Sequence, residues 1–303
     1  MCSPREIHAA TAFAGRRAAA SFALCCALLG AAAAAAEPDA AFLQEHGIRY
    51  WLAAKQEPRT LRFHHLLVDL SHPRATVMAA PANDPDGAGP ATAALEAPLS
   101  IARRVQAIAL VNANPWQSLP DAAGQRTTNW REGMPVEVLG ATVSRGALRS
   151  SPLDGHCAFW LDTREVPRIG GLKDASHARE AVAGFSALVE DGKAVAPDGG
   201  PVHPRTALGL DAANTRLLLV VVDGRQPGYS EGVALHELAA HMIELGCRSA
   251  VNLDGGGSSI MILAGRDGKL SVVNDPSTKQ NGVSLPRPIP VALAIVPKMG
   301  GQE

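Results

Sequence analysis

The sequence predicts an α+β fold in a single domain, with a mixed β-sheet and few helices. The apolar run at residues 217–222 is typical of a buried strand, and residues 250–253 predict a second strand after a stretch with helical spacing. Elsewhere, short apolar segments broken by Gly and Pro are typical of hairpins. Because no internal repeat, low-complexity tract or Ser/Gly-rich linker follows residue 37, we expect one domain over residues 37–303.

The first part of this domain predicts strands, one helix and a polar loop. Residues 60–80 predict two strands joined by a turn at 71–73. Residues 98–105 predict a helix with proline in its first turn. A buried strand at 107–111 then leads into a loop that carries Asn112 and Asn114.

In the last part of the domain, the expected ends of helices and strands are marked more clearly by Ser and Gly residues. Ser230 is expected to cap a helix that runs to about residue 245, where Gly246 ends it. A tight turn at 254–257 is expected to lead into a strand at 258–263. Residues 290–296 predict one more strand.

Residues 1–36 predict a secretory signal peptide. Arg16 and Arg17 precede an apolar run at 18–36 that ends in small residues before Glu37. The run is nearly long enough to span a membrane, but its small-residue end favours cleavage. We therefore expect a periplasmic or secreted protein with no stable membrane anchor after cleavage, exported by the Sec or the twin-arginine route.

Composition and charge argue against several kinds of partner. Of 303 residues, 47% are hydrophobic and 19% charged, and the formal net charge is −1. No basic field therefore attracts nucleic acid or an anionic membrane surface. Only 4% of the residues are aromatic, so we expect a compact pocket for a carbohydrate rather than a long stacking platform.

Two cysteines, Cys157 and Cys247, follow the predicted signal peptide. In an oxidising compartment they can form a disulfide, and as free thiols they pack as small hydrophobic side chains. Both interpretations stay open, because the sequence does not give their separation. Without a CxxC spacing they predict no zinc site.

His236, Glu237 and His241 resemble the HExxH motif of zinc proteases, but the second His comes five residues after the first. With about 3.6 residues per turn, the two imidazoles lie on different faces of a helix, which argues against a shared metal ion. We expect this side of the helix to meet solvent. His64 and His65 point to opposite faces of a strand and are not expected to act together.

Polar residues and glycines concentrate at strand ends between residues 203 and 263. Such positions are held by a rigid backbone, which suits catalysis. Arg205 and Arg225 offer planar donors for phosphate oxygens, and the glycines beside Asp223 and Asp254 leave backbone N–H groups free for an anion. Each feature alone is common in turns or on surfaces. Their coincidence favours a site for an anionic sugar or a phosphodiester.

The same segments carry a family resemblance. They are Arg205-Thr206 with a following Gly, Asp223-Gly224-Arg225 with Ser230 and Gly232, and Asn252-Leu253-Asp254-Gly255-Gly256-Gly257-Ser258. They resemble the phosphodiester glycosidase domain family, which includes an enzyme that uncovers mannose 6-phosphate by removing N-acetylglucosamine, and bacterial proteins labelled exopolysaccharide-related. The resemblance is specific over 203–263 and extends loosely to 111–112 and 274–276.

Two positions depart from the family pattern. Residues 112–116 replace a Gly-Gly-aromatic stretch, so we expect a different pocket wall. Pro286-Arg287 stands where the family has Glu-Arg, so any catalytic role of that Glu is absent here. The family's sugar specificity is therefore not carried over.

The resemblance implies a secreted hydrolase that cleaves a sugar-1-phosphodiester at the glycosidic C–O bond in an envelope or extracellular glycan. Arg205 and Arg225 are expected to stabilise the phosphate, and Asp254 or Asp223 to activate water or stabilise the oxocarbenium-like centre. The expected substrate-binding residues are Asn112, Asn114, Thr206, Ser230, Glu231, Asn252, Gly255, Gly256, Gly257, Ser258 and Arg287.

No cofactor is required by this interpretation, although Asp254 with backbone carbonyls leaves room for Ca²⁺ or Mg²⁺. Two other functions stay open. One is a metal-assisted phosphodiesterase that cleaves the P–O bond, and the other is a non-catalytic envelope glycan-binding protein.

Overall fold

The computed structural model of the protein describes residues 38–298. The predicted signal peptide and its cleavage point lie outside the described residues. Within them, strands dominate and helices are few, as the sequence predicts. The helices are α1 (Ala40–Gln44), α2 (Pro98–Arg104) and α3 (Leu235–Glu244). No helix between residues 38 and 298 has both the length and the apolar character needed to cross a membrane.

The strands of this region, in chain order, are β1 (Ile48–Lys55), β2 (Leu61–Asp69), β3 (Ala75–Pro81), β4 (Ala93–Ala94), β5 (Ala109–Asn112), β6 (Trp116–Ser118), β7 (Pro135–Val138), β8 (Thr142–Ser144), β9 (Ala147–Ser150), β10 (Ala158–Asp162), β11 (Pro167–Gly170), β12 (Ala178–Ala183), β13 (Ser186–Glu190), β14 (Lys193–Ala194), β15 (Arg205–Leu210), β16 (Arg216–Val222), β17 (Ser249–Asn252), β18 (Met261–Ala264), β19 (Leu270–Val272), β20 (Lys279–Gln280), β21 (Val283–Ser284) and β22 (Val291–Pro297).

Two sheets position the candidate site. One has seven strands in the order β1-β2-β16-β15-β17-β13-β14, and the other has five in the order β19-β18-β5-β22-β3. A second five-stranded sheet (β11-β10-β12-β8-β9) and two smaller sheets (β4-β7-β6 and β20-β21) complete the described region.

All strand pairs that these residues form are antiparallel, so the expectation of a mixed sheet is wrong for the described region. The strands that α3 connects, β16 and β17, do run in the same direction. However, β15 lies between them and pairs antiparallel with both. The chain therefore has the crossover helix that the sequence indicates, without a parallel ladder.

The continuous apolar run of β16 is buried on both faces of the seven-stranded sheet. Leu217, Leu219 and Val221 belong to the core shared with the five-stranded sheets. Leu218 and Val220 point the other way and pack with the apolar side of α3. Because side chains alternate between the two faces of a strand, a strand buried on both faces needs apolar residues at every position. Full burial of such a side chain contributes about 1.5–3 kcal/mol.

The start of α3 differs from the prediction. The helix begins at Leu235, and the side chain of Glu237 accepts a hydrogen bond from the Ala234 N–H at 2.8 Å. Ser230 instead donates to the carbonyl of Asp223 at 2.7 Å and accepts from the Arg62 N–H at 3.0 Å. The Ser230 hydroxyl therefore stabilises the loop between β16 and α3 instead of capping the helix. Gly246, with φ +89°, follows the end of the helix as expected.

His241 is buried, so the expectation that its side of α3 meets solvent is wrong. Its Nε2 lies 2.9 Å from Nε2 of His65, because β2 extends under the helix. Phe63 and Trp51 pack against these rings at centroid distances of 4.3 Å (to His241) and 4.6 Å (to His65). Two aromatic neighbours and the helix together exclude water from the pair.

The turn after β17 is also longer than predicted. Residues Gly256–Ser258 form a 3-10 turn, and the next strand, β18, begins only at Met261. Cys157 and Cys247 are both free and buried, in separate core clusters, so no disulfide joins them. Burial raises the pKa of each thiol to about 12.

Candidate active site

Asp254 follows β17 at the place where the two large sheets meet. Its main chain is held by the end of β5 and the residue after it. The Asp254 N–H donates to the carbonyl of Ala113 at 2.9 Å, and the Asn112 side-chain amide donates to the carbonyl of Asp254 at 2.6 Å. The Asn112 Oδ1 accepts from the Thr206 hydroxyl at 2.7 Å and from the Ile260 N–H at 3.1 Å. Asn112 and Thr206 therefore fix the Asp254 loop from inside the protein.

Consecutive glycines after Asp254 let two arginines approach the main chain. A Cβ on Gly256 would lie 3.2 Å from Nη2 of Arg225, and one on Gly257 would lie 2.5 Å from Nη2 of Arg287. Gly256 also has φ +62°, a conformation that favours glycine. A side chain here would displace a guanidinium group, which explains the residue type at these positions.

Arg205, Arg225 and Arg287 place three positive charges around this loop. Within residues 38–298, none of the three forms an ion pair with a carboxylate within 4.0 Å. Burial lowers the pKa of Arg205 and of Arg287, and the positive charge of Arg225 lowers both further. Arg205 is oriented by donating to the carbonyl of Val233 at 3.2 Å. Such a cluster favours an anion with several oxygens, such as phosphate.

The carboxyl group of Asp254 lies half-buried beside this cluster. Burial raises its pKa to about 6, while the nearby Ser258 hydroxyl, the Gly255 N–H, 3.0 Å from Oδ1, and the positive charge of Arg287 counteract the rise. A carboxyl group with such a pKa changes its protonation state near neutral pH. That property suits proton transfer or attack at a reacting carbon.

Buried polar atoms that lack a hydrogen-bond partner gather in the same place. In the part of the chain that the structure describes there are six: three lie between residues 252 and 259, and two belong to His203, near Arg205 and Arg225, and to Arg287. These five are Nδ1 of His203, Oδ1 of Asn252, Oγ of Ser258, Oγ of Ser259 and Nε of Arg287. Since buried polar groups are normally paired, this cluster is suited to a polar ligand.

A family model for phosphodiester glycosidases matches residues 121–296, more than half of the chain. The chain belongs to the phosphodiester glycosidase family. One curated relative, the SPbeta prophage-derived uncharacterized protein YomE of Bacillus subtilis (strain 168), is 28% identical over 189 residues. The match covers 60% of this chain but only 28% of the length of that relative.

Solved structures share the fold of this family member. The catalytic domain of zebrafish N-acetylglucosamine-1-phosphodiester alpha-N-acetylglucosaminidase, auto-inhibited by its pro-peptide, has a TM-score of 0.62 at 20% identity, covering 83% of each chain. A hypothetical protein from Synechocystis has a TM-score of 0.56 at 14% identity, covering 83% of this chain and 62% of its own.

Asp223 lies in a different environment from Asp254 within this family member. Its side chain is fully enclosed, with 0% exposure. One carboxylate oxygen accepts from the Asn274 amide at 3.1 Å and from the Asp275 N–H at 3.0 Å. The other lies 3.1 Å from Nε2 of His64 and 3.5 Å from the Tyr229 hydroxyl. With four partners and no exposed surface, this carboxylate holds the loop after β16 in place.

The remaining sequence candidates are placed as follows. The Asn114 amide is buried and bonds only to main-chain groups, donating to the carbonyls of residues 139–141 and accepting from the Ala183 N–H. Ser230 is likewise buried against main-chain groups. Glu231 is half-buried, and its main chain pairs with Thr60 and Arg225.

Sequence analysis did not single out several residues that the structure places at the site. Tyr50 lies 2.9 Å from Nδ1 of His64 and extends the Asp223 network. Trp130 lies under the guanidinium group of Arg287, 5.4 Å from its ring centroid. For Asn274, the loose match at 274–276 was the available signal. The sequence indicated that His64 and His65 point to opposite faces of a strand, but no local pattern linked His64 or Trp130 to this site.

Metal binding receives no positive support from the described residues. Between residues 38 and 298, no three side chains of His, Cys, Asp or Glu lie close enough together to hold a metal ion. Asp254 has basic rather than acidic neighbours, Arg287 among them. A divalent cation placed there would face their positive charge, which disfavours its binding.

Proposed function

We propose that this protein hydrolyses a sugar-1-phosphodiester at the glycosidic C–O bond and releases a free sugar and a phosphomonoester. The observation that carries the proposal is the carboxyl of Asp254, with its raised pKa, next to three arginines, none of which has a carboxylate within 4.0 Å in the described part of the chain. Membership of the phosphodiester glycosidase family supports the reaction class.

The three arginines would bind the phosphodiester and stabilise the phosphate as it leaves. A phosphate group departs as a stable anion, so it needs less help from a general acid than an ordinary sugar alcohol does. Guanidinium donors fixed around its oxygens stabilise the charge that develops in the transition state. The unpaired Nε of Arg287 points to a ligand that accepts its hydrogen bond.

Asp254 would act in the attack on the anomeric carbon, either as the base that activates water or as the nucleophile itself. With a pKa of about 6 it is mostly ionised at pH 7, so it can accept a proton from water or attack the carbon itself. Asp223 cannot replace it, since its carboxylate is enclosed and fully hydrogen-bonded. Product stereochemistry separates the two roles: inversion indicates a base, and retention indicates a nucleophile.

The substrate in this proposal is an envelope or extracellular glycan. The predicted signal peptide at residues 1–36 supports a periplasmic or secreted location. The zebrafish protein of similar fold is named for N-acetylglucosamine-1-phosphodiester. A substrate panel should therefore begin with that sugar and continue with glucose, galactose and mannose.

The test is release of sugar from this panel by residues 37–303, with and without divalent metal. Asp254→Asn is the critical variant. Asp154→Asn is the matched control, because Asp154 also precedes a glycine but is exposed. Sugar release by the wild type and the control, but not by Asp254→Asn, would support the proposal.

Two other results would contradict it. Hydrolysis that requires a divalent metal and breaks the P–O bond would indicate a phosphodiesterase. Tight binding of the phosphodiesters without turnover under any condition would indicate a glycan-binding protein, in which the same arginines bind an anionic glycan.

A further inference from the structure

A large cavity lies at the far end of β22 from the candidate active site. Its volume is about 760 Å³, within the range of small-molecule sites, roughly 300–1,000 Å³. It forms where β3, the edge of one five-stranded sheet, faces β12 and the β8–β9 turn of the other. On β22, Ala292 pairs with Asn112 beside the Asp254 loop, whereas Pro297 lines the cavity. This length of strand spans roughly 17 Å, so the cavity is separate from the candidate active site.

Glu180 fixes one wall of this cavity. Its buried carboxylate accepts hydrogen bonds from the Ala79 N–H at 2.9 Å and from the Arg145 N–H at 3.0 Å. Because Ala79 belongs to β3 and Arg145 to the β8–β9 turn, this one side chain joins the two sheets. Burial raises the pKa of Glu180, and the two N–H groups oppose the rise. The main chain of Arg145 is therefore held in place before any ligand binds.

Two arginines lie next to each other on this wall. Val143 on β8 is opposite Ala181 on β12, and continuing this antiparallel register brings Arg145 beside Arg179. The Gly146 N–H accordingly donates to the carbonyl of Arg179 at 2.7 Å. Like charges at facing positions of adjacent strands destabilise a sheet. The two guanidinium groups therefore cost stability unless an anion offsets their charge.

Glu165 offsets only part of this charge. It accepts a hydrogen bond from Arg179, and its Oε2 lies 3.3 Å from Nζ of Lys298. Burial acts to raise the pKa of Glu165, but the two cations outweigh burial and lower it. One carboxylate thus pairs with two cations. Within residues 38–298, no carboxylate oxygen lies within 4.0 Å of the exposed Arg145 guanidinium, which leaves it available to an anion.

The residue type at position 145 does not suit its backbone. Arg145 has φ +53° and Gly146 has φ +79°, in the two-residue turn between β8 and β9. Such turns favour Asn or Asp before Gly, and a long side chain is less favourable in the left-handed region. Gln106 and Glu165, which also line the cavity, have φ +54° and +63°. The chain therefore accepts backbone strain at three positions whose polar side chains surround one cavity.

The remaining lining of the cavity matches a sugar. Thr76, Gln106 and Thr163 offer hydroxyl and amide groups, and Val105 and Pro297 offer apolar surface. A sugar has hydroxyl groups around its rim and C–H groups on its faces, so it uses both kinds of contact. A guanidinium group adds two parallel donors, which fit the oxygens of a carboxylate or a phosphate.

We propose that this cavity binds an anionic sugar, that is, a sugar unit with a carboxylate or a phosphate group. Arg145 binds the anionic group, and Arg179 lies beside it. The proposal involves no covalent step and does not depend on the proposed hydrolysis at Asp254. It gives the protein a second contact with an anionic glycan, at a distance from the arginines of the candidate active site.

Calorimetry with three probes tests the proposal. Methyl glucuronide carries a carboxylate, glucose 6-phosphate carries a phosphate, and methyl glucoside carries no charge. Because Arg225 and Arg287 also attract anions, the titrations use both the wild type and the double variant Arg225→Gln/Arg287→Gln. Arg145→Gln is added to each, and Arg49→Gln is the matched control, since Arg49 is exposed on β1 and lines no part of this cavity.

The decisive comparison is made in the double variant. We expect it to bind at least one anionic probe about tenfold or more tightly than methyl glucoside, because hydrogen bonds to charged groups are strong. Arg145→Gln should remove this preference, and Arg49→Gln should retain it. The anionic probe that binds more tightly shows whether the site takes a carboxylate or a phosphate.

Two results would overturn the proposal. One is a double variant that binds neither anionic probe more tightly than methyl glucoside, which would place all anion binding beside Asp254. The other is a preference that survives Arg145→Gln. Amide NMR of the wild type locates the site independently: the signals of Gly146 and Arg179 should shift with the anionic probes, and unchanged signals at saturation would also overturn it.

Discussion

The guanidinium group of Arg287 occupies the space in which a Cβ of Gly257 would lie, with its Nη2 2.5 Å from that position. Gly257 thus lets a positive charge come close to the loop that carries Asp254. The main chain of this loop is held by hydrogen bonds to Asn112 at the end of β5 and to Ala113 directly after it. One side of the site is therefore rigid, and the other depends on where a long side chain can lie.

Gly257→Ala should reduce activity more than stability. The new methyl group would lie 2.5 Å from Nη2 of Arg287 and 2.8 Å from Oγ1 of Thr278. Both atoms belong to side chains, which can move aside at a lower cost in folding free energy than the main chain. Moving the guanidinium weakens its hold on the phosphate, so we expect kcat/KM to fall by about 10- to 100-fold. Gly255→Ala is the comparison, since its Cβ would meet the Pro204 carbonyl at 2.9 Å and destabilise the fold. Equal losses of thermal stability in both variants would contradict this account.

The rate should rise with pH through about 6. Asp254 acts as base or nucleophile only when ionised, and its pKa of about 6 sets the midpoint in kcat/KM between pH 4 and 9. Arg287→Gln removes a positive charge that lowers this pKa, so its midpoint should lie at higher pH. A rate that falls as pH rises through 6 would show instead that Asp254 acts as an acid.

Asp254→Asn should stabilise the fold while it abolishes turnover. The folded-state pKa of Asp254 is raised above its ordinary value of 3.8, so the folded state favours the protonated form. Its ionisation therefore costs stability as pH rises from 3.8 through about 6. A neutral amide removes this cost, on the order of 1 kcal/mol at pH 7 after solvent screening. Urea denaturation checks this, and a loss of stability would mark Asp254 as a structural residue.

Asp223→Asn should have the opposite effect on stability. An amide cannot accept all four hydrogen bonds that the enclosed carboxylate receives, and His64 loses its anionic partner. Leaving a buried donor without its acceptor costs about 1–3 kcal/mol. In urea denaturation the exposed Asp154→Asn should change stability by less than about 0.5 kcal/mol. An unchanged stability for Asp223→Asn, together with lost turnover, would show that Asp223 takes part in the chemistry.

The buried pair of His65 and His241 should make the fold sensitive to acid. Burial lowers the pKa of His65 to about 4 and lowers that of His241 as well. The unfolded chain therefore binds more protons below pH 6.5, and stability falls from there towards pH 4. Replacing both by Gln should flatten the melting temperature between pH 7 and 5, whereas the exposed His177→Gln should not. An equally steep fall in the double variant would contradict the assignment.

The sequence predicted the elements whose signal is local. The continuous apolar run at residues 217–222 predicted a buried strand, and Gly246 predicted the end of α3. The misplaced helix start at Ser230 has a distant cause, since that hydroxyl bonds to Asp223 and Arg62 rather than to the helix. No local pattern shows which of two competing partners a side chain finds in the folded protein.

The sequence predicted which residues form the candidate site, but it did not predict the role of each one. Asp223 and Asp254 share the same Asp-Gly pattern, yet one is enclosed and the other is poised near a cluster of arginines. The difference depends on Asn274, 51 residues after Asp223, and on His64, 159 residues before it. The contact of Trp130 with Arg287 joins equally distant parts of the chain. Such contacts depend on how the sheets pack against each other. The spacing of residues in a motif does not predict this packing.

The most direct test of the central claim is hydrolysis of a sugar-1-phosphodiester in ¹⁸O-labelled water, with mass analysis of both products. The account predicts the label in the sugar for the wild type and no product for Asp254→Asn. Label in the phosphomonoester would show that the P–O bond breaks, and would contradict it.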